Sequence, residues 1–79
     1  MDILDIFANN LKFYRAERGL SQEELAFRSE LHRTYISAVE RKKKNISIKN
    51  IEKIAKALEV EPYMLLKKEE SNDSNAWWF

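Results

Sequence analysis

Residues 19–41 read GLSQEELAFRSELHRTYISAVER, and this stretch decides the fold. Gly19 ends the helix before it, because glycine readily takes the left-handed conformation that closes a helix. Ser21, followed three residues later by Glu24, forms a capping box that opens the next helix. Leu25 and Ala26 are its inward residues, and it runs only to about Arg28. Ser29-Glu30-Leu31 interrupts the pattern. A third helix, from Arg33 to about Lys42, then carries Ile36, Val39 and Glu40 on one face.

Upstream, Leu4, Phe7, Ala8, Leu11 and Tyr14 recur at helical spacing, which predicts a first helix over Ile3 to Arg18. Downstream, Ser47 caps a fourth helix with Ile48, Ile51, Ile54, Ala55 and Leu58 on its apolar face. Glu61-Pro62 breaks the chain, and Pro62 suits the first position of a short fifth helix reaching about Lys68. Ser71 to Asn75 is polar and linker-like, and Ala76-Trp77-Trp78-Phe79 follows. The expected architecture is all-α: a compact five-helix bundle over residues 1–69, with a tail over 70–79. Two short helices across a brief break, the second with a polar outer face, describe a helix-turn-helix.

Composition agrees with this reading. In 79 residues there are one glycine and one proline, too few for the turns of an all-β sandwich. With no cysteine, the chain has no disulfide framework and no thiolate metal site, and a reducing cytoplasm suits it. The acidic start, Met-Asp-Ile-Leu-Asp, does not read as a signal peptide, and no apolar run approaches membrane-spanning length. The expected setting is therefore cytoplasmic, with no membrane partner. A core this small gains from dimerisation.

The formal net charge of +1 conceals a strong asymmetry. Residues 1–27 carry three bases and five acids, and residues 57–79 carry two bases and five acids. Between them, residues 28–56 carry nine bases and three acids, a net +6. A charge run can be a plain solvated face, or it can be the footprint of a polyanion.

The stretch from Leu11 to Leu66 resembles the helix-turn-helix family of phage repressors and xenobiotic-response-element-like bacterial regulators. The residues that carry the likeness are Arg15, Gly19 to Ala26, Thr34-Tyr35-Ile36-Ser37, Glu40-Arg41, Ser47 and Ile54 to Leu58. Within that family, His32 to Ser37, then Glu40-Arg41 and Asn45 to Ile48, look most like the controller proteins of restriction–modification systems. The resemblance implies a lambda-repressor-like domain that binds a palindromic operator in double-stranded DNA as a homodimer and regulates transcription. Two departures from the family matter. Glu30 stands where the family has a turn glycine, which costs about 1 kcal/mol of strain if φ is positive there. Lys42 and Ile46 replace Gly and Pro, which predicts a third helix about one residue longer and a stiffer, more basic loop.

A helix in the major groove reads bases chiefly with its N-terminal residues. Arg33 and Thr34 are the leading base-reading candidates, joined by Ser37 and Ala38 on the outer face. Arg33 can donate two parallel hydrogen bonds to guanine O6 and N7, and Ala38 suits a thymine methyl. The competing role for Arg33 is a phosphate contact or open solvent. Backbone anchors are expected at Gln22, near the N-terminus of helix two, and at Arg41, Lys43, Lys44 and Asn45. Tyr35 is placed there too, either packing with a phosphate-directed hydroxyl or stacking on a base. Lys53 and Lys56 read as solvated surface.

Glu40 is a carboxylate on a buried face and needs a partner; the resemblance offers Arg15, with a free surface acid as the alternative. His32 belongs at the N-cap of helix three, and one histidine without cysteine makes no metal site. No nucleophile–base set is present, so the chain does not read as an enzyme, and no cofactor or small-molecule ligand is indicated. Tyr63, Met64 and Leu66 leave surplus apolar surface around helix five, a dimer face. Ile3, Ile6 and Phe13 form a second apolar stripe, a dock for Trp77, Trp78 and Phe79. The alternative function is an antitoxin-like or phage-type repressor whose aromatic tail binds a protein partner.

Overall fold

The computed structural model describes residues 2–68, and these form five helices. They are α1 (Ile3–Glu17), α2 (Gln22–Ser29), α3 (Arg33–Glu40), α4 (Ile48–Leu58) and α5 (Pro62–Leu66). Each of the first, second and fourth starts on a side-chain cap: Asp2 for α1, Ser21 for α2, Ser47 for α4. At α2 the full capping box is present. Glu24 N–H donates to Ser21 Oγ at 3.0 Å, and Ser21 N–H donates to Glu24 Oε1 at 2.8 Å. Hydrogen bonding to the carboxylate from the Ser21 backbone N–H, and secondarily from the Ser21 hydroxyl, holds the Glu24 carboxyl below its ordinary value. His32 does stand at the N-cap of α3, but its side chain makes no capping bond.

The apolar faces meet in one core: Phe7 and Leu11 of α1, Leu25 of α2, Ile36 and Val39 of α3, Ile54 and Leu58 of α4, and Leu65 of α5. The helix-turn-helix pair α2–α3 packs together, α4 supports α2, and α1 backs both α3 and α5. Two polar side chains, Asn10 of α1 and its C-cap residue Arg18, close this arrangement. Asn10, buried to 1% exposure, donates to the carbonyls of Leu65 at 2.9 Å and Lys67 at 2.7 Å. Arg18 Nε donates to Leu58 O at 2.7 Å, satisfying a carbonyl that the end of α4 leaves without a helical partner. Asn10 also accounts for a difference from the sequence reading. With those two carbonyls captured, α5 stops at Leu66, and Lys67 is extended instead of continuing the helix to Lys68.

Four helices end in the same way. After α1, Gly19 N–H bonds Ala16 O and Leu20 N–H bonds Arg15 O; after α2, Glu30 and Leu31 repeat the pair on Phe27 and Ala26. Lys42 and Lys43 repeat it after α3, and Glu59 and Val60 after α4. This is the Schellman motif, which needs a left-handed residue. That residue is Gly19 (φ 69°) once, but Glu30 (φ 60°), Lys42 (φ 63°) and Glu59 (φ 61°) otherwise. The expectation for Glu30 is met. The expectation for Lys42 is corrected: α3 is not extended but closes at Glu40, because Lys42 adopts the left-handed conformation itself. Turning there brings Ile46 back against the core and sets Lys42 Nζ 3.6 Å from Asp5 Oδ1.

Replacing Glu30 by glycine relieves a side-chain clash and breaks no contact of the core. Glu30→Gly is expected to raise stability by about 1 kcal/mol, or roughly 4–8 °C in Tm. Thermal unfolding followed by circular dichroism checks this; an unchanged or lowered Tm removes the strain argument.

Candidate nucleic-acid interface

The second helix of the helix-turn-helix, α3, buries Ile36 and Val39 completely and leaves Arg33 and Thr34 exposed at its N-terminal end. Ser37 and Ala38 are half-buried on the same outward side. The one carboxylate of α3, Glu40, is 4% exposed and turned inward. The outward face of α3 is thus free of negative charge, and Arg41, Lys43 and Lys44 extend it, all exposed. Thr34, Tyr35, Ala38 and Lys44 line one shallow groove together with His32, whose place there the sequence reading did not foresee.

The inward turn of Glu40 is held by the Arg15 pairing. Arg15 Nε donates to Glu40 Oε2 at 2.7 Å and Arg15 Nη2 to Oε1 at 3.0 Å, a bidentate pair joining α1 to α3. Arg15 Nη1 donates further to Leu20 O at 2.9 Å. Gln22 Nε2 donates to Glu40 Oε1 at 2.9 Å, so one carboxylate ties three helices. Among the described residues no buried side-chain nitrogen or oxygen lacks a partner. Gln22, expected at the phosphate backbone, thereby has its carboxamide oriented from the core. One amide N–H, the carboxamide oxygen and the α2 N-terminus remain available to a ligand.

Tyr35 is braced in the same manner. Asn50 Nδ2 donates to the Tyr35 hydroxyl at 3.1 Å, and that hydroxyl donates to Asn45 O at 3.4 Å. Its proton is directed into the α3–α4 loop, so the tyrosine positions Asn45 as well as presenting its ring. Asn50 was not legible as a functional neighbour, since its partner lies on another helix. Lys42 stands apart from the basic cluster, turned toward Asp5. On α5, Tyr63 is 65% and Leu66 38% exposed, while Met64 is half-buried. Among the described residues no helix is long and apolar enough to cross a membrane.

Known proteins share this arrangement. The helix-turn-helix family model matches residues 11–65. The chain is 52% identical over 65 residues to a hypothetical transcription factor of Neisseria meningitidis serogroup B, covering 82% of this chain and 61% of that protein. It is 50% identical over 62 residues to the control protein C.BamHI of Bacillus amyloliquefaciens, covering 77% of this chain and 76% of the relative. Among solved structures it resembles the restriction–modification controller C.Esp1396I, a tetramer in complex with its natural 35-base-pair operator. That likeness has a TM-score of 0.76 at 42% identity and covers 82% of this chain and 86% of that one. The chain belongs to the helix-turn-helix family, among the relatives of the restriction–modification controller proteins.

Proposed function

We propose that this protein is a cytoplasmic, sequence-specific DNA-binding regulator of transcription that acts as a homodimer on a palindromic operator and controls restriction–modification genes. The observation that carries it is the outward face of α3, which offers Arg33 and Thr34 at its leading end, no exposed acid, and the bases Arg41, Lys43 and Lys44 after it. Arg33, Thr34, Ser37 and Ala38 read base edges in the major groove. Gln22, Arg41, Lys43, Lys44 and Asn45 hold phosphates, with Tyr35 fixing the loop that carries the last of them. The similarity to a controller seated on its operator supports the same docking.

A single helix reads too few base pairs for an address in a genome, so two copies share the site. A two-fold dimer sets its recognition helices about one DNA turn, or roughly 34 Å, apart, and operator palindromy mirrors that symmetry. Tyr63, Met64 and Leu66 supply the apolar surface for the pairing.

The test is titration of the protein against DNA from immediately upstream of its own gene and against a scrambled duplex, over a range of salt. Affinity is expected to fall steeply with salt on both, and to be much higher on the upstream DNA. Lys44→Ala is expected to weaken both complexes alike and to lower the log–log salt slope by about 1. Equal affinity for the two duplexes rejects sequence-specific regulation.

A further inference from the structure

Trp77 and Trp78 are the only tryptophans of the chain, and with Phe79 they end a stretch, residues 69–79, that holds three acids and no base. That stretch lies outside the described residues, yet the place where it starts is fixed. The Asn10 bonds to Leu65 O and Lys67 O clamp the chain against α1 as it leaves α5. Beside this exit is an apolar groove formed by Ile3, Leu4 and Phe7 of α1, Ile51 of α4, Leu66 of α5 and Ile46 of the α3–α4 loop. Its rims are open: Ile3 is 57% and Leu66 38% exposed.

We propose that Trp77, Trp78 and Phe79 pack into this groove of their own chain. Reach is ample. Leu66 lines the groove two residues before Lys68, and the eight residues 69–76 extend to roughly 26 Å, beyond the 23 and 19 Å shorter dimensions of the domain. Tethering at that range gives the aromatic residues a local concentration on the order of millimolar, which favours the chain's own groove over a second copy. Aromatic side chains bury large areas with few rotors to immobilise. Charge assists the same placement. Glu69, Glu70 and Asp73 lie in the connecting segment, and Ile46 in the groove is two residues from the basic run Arg41-Lys42-Lys43-Lys44. Seated there, the aromatic residues brace the loop that carries Lys43, Lys44 and Asn45.

Intrinsic tryptophan fluorescence reports on these residues alone, and the readout needs no DNA. In the full chain, emission is expected at shorter wavelength than in a synthetic peptide of residues 69–79, with acrylamide quenching several-fold weaker, and both independent of protein concentration. Ile3→Asp puts an acid in the first turn of α1, which suits the helix and spoils the groove. It is expected to return emission to that of the peptide while far-ultraviolet dichroism stays helical, and Leu4→Asn, in the same groove and away from the dimer face, to do the same. Phe27→Ser, on the exposed face of α2, is expected to change nothing. Emission and quenching equal to the peptide's overturn the proposal, as does burial that persists in both groove variants. Burial that fades on dilution overturns it too, by assigning the aromatic residues to a second copy.

Discussion

Arg15→Met is expected to cost about 3–5 kcal/mol and to lower Tm by on the order of 20 °C. The reason lies in Glu40, whose side chain is 3% exposed and whose two oxygens accept from Arg15 Nε and Nη2. Removing the guanidinium leaves a carboxylate in the core with Gln22 as its one remaining donor among the described residues. A small domain holds only about 5–15 kcal/mol in all, so this single loss removes a large share of it. Joining Arg15→Met to Glu40→Met is expected to restore most of the stability, because a buried ion pair replaced by apolar side chains of similar size is close to neutral. Urea unfolding of the four proteins in this cycle measures the coupling. If the double variant is as unstable as Arg15→Met alone, stranded charge is not the cause. DNA binding adds a second readout: the double variant refolds the core but leaves Gln22 unoriented, so it binds more weakly than its stability would indicate.

Arg33→Ala is expected to reduce the preference for operator over random DNA by about five- to 150-fold for each half-site, the equivalent of one bidentate guanine contact per copy at roughly 1–3 kcal/mol. Arg33 is exposed at the N-terminal end of α3 and makes no side-chain hydrogen bond among the described residues, so its removal leaves the fold intact. Affinity for random duplex changes little, and the lost preference concentrates at one position of each half-site. Competition binding with operators substituted one base pair at a time locates it. An equal loss on operator and random DNA makes Arg33 a phosphate contact instead. Lys44→Ala is the opposite case, with uniform weakening and unchanged preference, and the pair of variants separates reading from anchoring.

The reach of sequence reasoning differs from one helix end to the next. Helix starts were legible because their signal is chemical and local: Ser21 with Glu24, Ser47, and Pro62 each satisfy or remove a free N–H within a few residues. Helix ends were legible only at Gly19 and Glu30, where the residue itself or the family pattern marks the turn. Glycine marks one of four Schellman closures, and the other three place Glu30, Lys42 and Glu59 in the left-handed conformation. What selects those turns is the apolar residue that follows. Leu31 and Val60 fold back onto the core, as Leu20 does after the unstrained Gly19, and their burial outweighs a local strain of about 1 kcal/mol at Glu30 and Glu59. Lys43 follows the turn after α3 without such burial; there it is Ile46, three residues on, that returns to the core.

The candidate interface divides along the same line. Residue order and helical period already separate Ile36, Val39 and Glu40 from Arg33, Thr34, Ser37 and Ala38, and they place the basic block of residues 28–56 from the end of α2, through α3 and the loop after it, onto α4. Period and charge are properties of neighbours along the chain, so no packing is needed to see them. Asn10 holding α5, Arg18 holding α4, Asn50 holding Tyr35 and Gln22 drawn to Glu40 are of another kind. Each joins residues at least 15 positions apart. A polar side chain in a pattern looks the same whether it meets water or a distant carbonyl, and only the folded chain brings the partner within hydrogen-bonding distance.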